Sequence, residues 1–230
     1  MSIAITEHGD VTEIALDRAP LNALDRATVT ALERAVRALK PTQCLVLTGR
    51  HQAFCAGVDT KLFAAASPAE RRELVLAITR MTAALLAHPA PVVSAVNGHA
   101  VGGGLVLALC GDYRLAADLA TLKCGLTEAR AGVPFPAGAA AIIQHELPAP
   151  LLRRLSMTSA IVSAAELRAL GVFDELIEPH LLVQGAHARA RALAAQPGFV
   201  TIKRQVRGAL AQAVQSLSDA GYDPFIDAFD

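Results

Sequence analysis

Two segments of this chain pair glycine with an accessible backbone N–H: His51–Lys61 (HQAFCAGVDTK) and Asn97–Asp112 (NGHAVGGGLVLALCGD). In the second, an apolar strand passes through glycine into an apolar helix. A helix N-terminus offers unpaired N–H groups and a partial positive charge. Glycine removes the Cβ atoms that would hold a ligand oxygen away from them. Two such N–H groups aimed at one oxygen form an oxyanion hole, suited to enolates and other developing oxyanions. The same glycines also serve close packing of a helix on a strand. Glu128 supplies the third element. It lies in Cys124–Gly132 (CGLTEARAG), just ahead of Val133-Pro134-Phe135-Pro136. A carboxylate among small and apolar residues is a candidate general base, because desolvation raises its pKa toward working pH. The plainer reading is a helix-terminal glutamate in water.

Other chemistries fit less well. Gly98, Gly102, Gly103 and Gly104 do not spell a dinucleotide fingerprint, since position 100 is alanine. Asp118 stands about 20 residues beyond Gly98, the distance of a ribose-binding acid, but the glycine order is wrong and no GK[ST] occurs. Ser94 lacks the GxSxG setting of a hydrolase. The seven histidines are scattered, and His51, His99 and His145 are the nearest to the motifs. Neither a nucleophile–His–acid grouping nor HExxH can be assembled. Cys44, Cys55, Cys110 and Cys124 contain no CxxC and no metal-type spacing. They read as buried thiols in a reducing compartment, with Cys55 and Cys124, beside the motifs, as the two candidate reactive thiols. Neither a metal site nor a separate cofactor is expected.

The elements that must position these groups are legible in outline. Ser2–Glu7 and Val11–Leu16 read as strands joined by a turn at His8-Gly9-Asp10. Asp25 caps a helix whose Val29, Leu32, Val36 and Leu39 share a face. Cys44–Thr48 reads as a strand. Ser67–Glu70 is a capping box opening a helix to about Ala87, and Ser163–Glu166 is a second box opening a helix closed by Gly171. Val92–Val96 shows no polar alternation and reads as a strand buried on both faces. Tyr113–Ala117 and Val172–Ile177 complete the strands. From Pro179 only helix is legible, broken at Pro197-Gly198 and continuing over Phe199–Leu217. An α/β core over residues 1–178 and a helical region over residues 179–230 are predicted.

Composition bounds the partners. The 230 residues are 53% hydrophobic, with 21 basic and 21 acidic side chains. A neutral chain carries no footprint for nucleic acid or an anionic membrane. Mean hydropathy is +0.40, high enough to suggest that subunit interfaces take up part of the apolar surface. The longest apolar run, Ala100–Gly111, is far shorter than the roughly 20 residues of a membrane span. The N-terminus shows no secretory signal, so a cytoplasmic location is expected.

With these residues in hand, the chain resembles the crotonase family, also called the enoyl-CoA hydratase/isomerase family. Leu16–Leu24 (LDRAPLNAL) is similar to the family's early L-[ND]-R-P…NAL segment. Ala53–Asp59 (AFCAGVD) is similar to its AF[CS]AGxD loop. Asn97–Gly104 followed by Cys110–Asp112 is similar to its NGxAxGGG…D segment. The resemblance implies a spiral of ββα units with a short C-terminal helical region, a homotrimer or hexamer, and an acyl-CoA thioester substrate. It implies oxyanion-hole donors at the N–H groups of Val58 and Gly103, with Gly103 the glycine whose lack of bulk matters most. It further implies substrate or CoA contacts from Arg18, Ala56, Asp59, Thr60, Lys61 and Gly102, with Lys61 and Arg18 near the phosphates.

The family's hydratases carry one glutamate two residues after the triple glycine, where this chain has Val106. Their second glutamate lies in a GxPE-like segment, here Gly125-Leu126-Thr127-Glu128. One carboxylate with an oxyanion hole suits a 1,3-proton shift better than water addition. The expected activity is therefore Δ3-Δ2-enoyl-CoA isomerisation. The alternatives are an enoyl-CoA hydratase and, from another class, a non-catalytic acyl-CoA-binding protein. The chain stops some tens of residues earlier than the resemblance leads one to expect, which bears on assembly and on the acyl pocket.

Overall fold

The computed structural model describes residues 2–229. The chain winds between two sheets. From the N-terminus come β1 (Ile3–His8), β2 (Val11–Leu16), α1 (Arg26–Ala38) and β3 (Cys44–Gly49). Next are β4 (Ala53–Cys55), α2 (Thr60–Ala65), α3 (Pro68–Ala87), β5 (Val92–Val96), β6 (His99–Val101) and α4 (Gly103–Leu109). Then follow β7 (Tyr113–Ala117), β8 (Lys123–Gly125), α5 (Glu128–Ala131), α6 (Ala137–Glu146) and α7 (Ala149–Thr158). The last elements are β9 (Ile161–Ser163), α8 (Ala164–Ala169), β10 (Glu175–Ile177), α9 (Leu182–Ala194) and α10 (Phe199–Ala220).

The larger sheet has the order β1-β2-β3-β5-β7-β10, and the smaller has β4-β6-β8-β9. Strands β3, β5 and β7 are each followed by a short strand in the other sheet and then by helix, so successive ββα units stack as one spiral. Parallel pairing of β3 with β5 and of β5 with β7 buries these strands on both faces, as the unbroken apolar run VVSAV predicts. The β1–β2 hairpin is antiparallel and closes one edge.

Local signals explain most boundaries. Asp25 caps α1 by accepting from the Thr28 amide at 2.7 Å, and Val29, Leu32 and Val36 face the core. The full Ser67–Glu70 capping box opens α3, which is buried nearly all round from Leu74 to Leu86. The second box forms by half. Ser163 accepts from the Glu166 amide, but the Glu166 carboxylate turns instead to Arg154 at 2.7 Å. The last strand begins at Glu175 rather than Val172, because Val172 and Phe173 are core residues of the preceding turn.

The C-terminal helices pack on the spiral, α9 over β3 and β5, and α10 against α3 and α6. A buried ion network anchors α10. Arg207 donates to Asp112 at 2.8 Å and to Glu146 at 3.1 Å, and Lys203 reaches Asp112 at 2.6 Å. The Arg207 guanidinium also donates to the carbonyls of Leu109 and Cys110, both at 3.0 Å. Those are orphan carbonyls at the negative end of α4, where a cation is favoured. Among the described residues, no helix is long and apolar enough to cross a membrane.

Candidate active site

The two backbone donors acquire their direction from pairing elsewhere. Leu24 forms an isolated parallel bridge with Val58. In that bridge Leu24 donates to the Gly57 carbonyl at 2.7 Å and accepts from the Asp59 amide at 2.9 Å. The N–H of Val58 itself therefore points away from Leu24, and Val58 lines a cavity. Leu24 is held by the buried Asn22, whose side-chain amide donates to the carbonyls of Arg50 and Ala53 at 2.7 and 2.8 Å. Asn22 adopts φ 52°, a left-handed conformation that asparagine tolerates better than most residues.

Gly103 is the first residue of α4, so its N–H has no intrahelical acceptor. It lies against the Val58 loop. A Cβ placed on Gly57 would come within 3.0 Å of the Gly103 nitrogen, and one on Gly103 would lie 4.0 Å from the Val58 nitrogen. Gly57 also has φ +79°. Both its conformation and this close approach exclude a side chain there.

Steric demand in the triple glycine falls elsewhere than expected. A Cβ on Gly103 would meet nothing nearer than Leu24 Cδ1 at 3.5 Å, an ordinary contact. A Cβ on Gly104 would come within 1.9 Å of the Cys55 carbonyl oxygen. Gly102, with φ +57°, faces Glu128, whose Oε1 would lie 3.0 Å from an added Cβ. Gly104 thus sets how closely α4 approaches β4, and Gly102 leaves room for the carboxylate.

Glu128 opens the short helix α5. It is not a solvated helix-terminal residue. Its Oε2 is buried and lacks a hydrogen-bond partner. Burial pushes its carboxyl up to about 7, against a smaller opposing pull from the backbone amides of Glu128 and Thr127. Glu128 lines a cavity of about 390 Å³ together with Val58, Gly102, Gly103 and Val106. Apolar side chains of α3, the Val133–Pro136 turn and Phe229 form much of the remaining wall. Among the described residues of that lining, Glu128 alone carries a titratable side chain. Val106, which the resemblance sets where the family's hydratases carry a glutamate, is buried in the wall.

Of the expected substrate contacts, Ala56, Thr60 and Gly102 line this cavity. Asp59 lines a neighbouring groove instead, caps α2 at the Leu62 amide (3.2 Å) and pairs with Arg18 at 2.9 Å. The Leu62 amide first, and Arg18 after it, hold the Asp59 carboxyl below the usual carboxylate range. Arg18 is matched a second time by Asp25 at 3.0 Å. A phosphate at this mouth would meet an arginine already neutralised by two carboxylates. Lys61 is exposed on α2 and lines neither hollow. The reactive-thiol reading fails at both positions. Burial pushes the Cys55 and Cys124 thiols up to about 12, and all four cysteines are free and buried.

One site residue went unread in the sequence. Phe229 is buried, stands edge-on to Phe63 with ring centroids 6.4 Å apart, and closes one side of the cavity. Arg71 helps hold it, sitting 5.4 Å over the Phe63 ring and donating to the Phe229 carbonyl at 3.4 Å.

Comparisons with known proteins converge on one family. The profile described as enoyl-CoA hydratase/isomerase matches residues 6–226. The chain is similar to carnitinyl-CoA dehydratase of Salmonella arizonae, at 32% identity over 84% of this chain and 74% of that protein. It is also similar to the mitochondrial enoyl-CoA hydratase domain-containing protein 2 of Bos taurus, at 36% identity over 61% of this chain. That match spans only 47% of the bovine protein, so the chain corresponds to less than the full length of such relatives. Among solved structures, the apo enoyl-CoA isomerase of Mycobacterium tuberculosis superposes with a TM-score of 0.85 at 25% identity, covering 96% of this chain and 97% of that one.

Proposed function

The chain belongs to the enoyl-CoA hydratase/isomerase family, and from that premise we propose that it is a Δ3-Δ2-enoyl-CoA isomerase with Glu128 as its single acid and base. One observation carries this reading. An otherwise non-titratable apolar cavity holds one carboxylate beside two backbone amides. Glu128 removes a proton from C2 of a 3-enoyl-CoA thioester. The electron pair delocalises onto the thioester oxygen, which accepts hydrogen bonds from the N–H groups of Val58 and Gly103. Glu128 then returns the proton at C4, leaving the double bond between C2 and C3. A carboxyl near 7 suits both halves of this cycle at neutral pH. Water addition needs a second proton-transfer group, and Val106 cannot supply it.

Acyl-CoA is the substrate in this reading, with no separate cofactor. Of the expected CoA contacts, Ala56, Thr60 and Gly102 line the cavity, and the exposed Lys61 is left for the phosphates because Arg18 is already engaged. We also propose self-association as a homotrimer or hexamer, for which Ile202 and Val206, exposed one turn apart on α10, offer apolar surface.

The test assays isomerisation of a 3-enoyl-CoA and hydration of a 2-enoyl-CoA side by side. The parent should isomerise and hydrate poorly. Glu128→Gln should lose about 10²–10⁴-fold in isomerisation. Val106→Glu should gain hydration. Hydration by the parent as fast as isomerisation would overturn the assignment and favour a hydratase. An unchanged Glu128→Gln variant would favour an acyl-CoA-binding role without catalysis.

A further inference from the structure

A second set of chemistry-bearing side chains lies outside the cavity. The hairpin register sets Thr6 opposite Glu13, and His8, two residues along β1, shares that face. Helix α9 packs against β2 and brings in His187. His8 Nε2 lies 3.6 Å from Glu13 Oε2, and His187 Nε2 lies 3.3 Å from the same oxygen. One ligand atom from each of the three residues falls within 4.8 Å of the others. The two imidazole rings sit 4.5 Å apart at 48°.

We propose that His8, Glu13 and His187 form a binding site for a divalent d-block cation, Zn²⁺ in particular, that staples the N-terminal hairpin to helix α9. Tetrahedral Zn²⁺ with ligands at about 2.0–2.1 Å separates neighbouring ligand atoms by about 3.3 Å. The His187–Glu13 distance of 3.3 Å matches that edge, and the His8–Glu13 distance of 3.6 Å needs a small turn of the exposed His8 side chain to reach it. Two imidazoles with one carboxylate select Zn²⁺ over Mg²⁺ or Ca²⁺, which prefer all-oxygen shells.

His187 Nε2 adds an independent sign. It is buried and makes no hydrogen bond of acceptable geometry, despite its closeness to Glu13. Such an orphaned nitrogen costs free energy unless a ligand takes it up. The nearby Arg191 is drawn aside by Asp10 and the His8 carbonyl, both at 2.9 Å. Exposed His8 gives ions access, and water completes the fourth position. None of the three residues lines the catalytic cavity, so the bound ion is structural.

Untagged, chelator-stripped full-length protein is titrated calorimetrically with ZnCl₂, and in parallel with MgCl₂. One Zn²⁺ per chain is expected, with a Tm rise of several degrees in excess Zn²⁺ and none in Mg²⁺. His8→Ala and Glu13→Gln should each weaken Zn²⁺ binding at least tenfold and remove the Tm rise. His8 is exposed, so its variant should keep the parent's Tm in chelator. Absence of Zn²⁺ binding by the parent would overturn the site. So would an equal shift with Mg²⁺, or binding that survives both substitutions.

Discussion

At the scale of single residues, the protonation of Glu128 links stability to activity. Its folded-state pKa, about 7, lies above the ordinary 4.5. The folded chain therefore holds this proton more tightly than the unfolded chain. The associated stability is full below about pH 4.5 and is lost as pH rises through about 7. Glu128→Gln removes that loss. Its stability relative to the parent should rise by about 1–3 kcal/mol between pH 5 and pH 8, as read by urea unfolding. Isomerisation should move oppositely, with kcat/KM falling about tenfold per unit below pH 7 as the base becomes protonated. The glycines give a second prediction. Gly104→Ala forces its Cβ onto the Cys55 carbonyl and should cost about 3 kcal/mol or more. Gly103→Ala meets only ordinary contacts and should stay within about 1 kcal/mol of the parent.

Elements were read from the sequence where their signals are local. The capping residues, the unalternating strand β5 and the helix of Val29, Leu32 and Val36 depend on nearest neighbours, and they formed as predicted. Strands β4, β6, β8 and β9 span three residues each and exist only through pairing with one another, so no period announces them. Helices α6 and α7 are short, and α6 is rich in alanine with a weakly marked face. The site divided the same way. The glycine loops and Glu128 are visible as residues, but the cavity that Glu128 lines is walled by side chains as distant in the chain as Leu74 and Phe229. The ion network is equally non-local. Arg207→Ala would remove one cation from each of Asp112 and Glu146, leaving Lys203 on the first and Arg114 on the second, and would uncover the Cys110 carbonyl. Chemical denaturation should show a loss of about 1–3 kcal/mol, whereas a surface substitution such as Arg204→Ala should change little.

The whole molecule assembles its cavity from Leu24, the Gly57–Val58 loop, the start of α4, Glu128 and Phe229, which lie far apart along the chain. Phe229 tests this closure. Phe229→Ala should raise KM for a short 3-enoyl-CoA several-fold while kcat changes less, because it removes wall rather than reacting groups. The cavity also divides its labour between kinds of atoms. In the proposed reaction the oxygen-binding group at Val58 belongs to the main chain, not to the side chain of this cavity-lining residue. Every residue except proline would retain that donor. Evolution can therefore reshape which acyl groups the cavity admits at the same position that steadies the reaction, without the two requirements competing for one side chain.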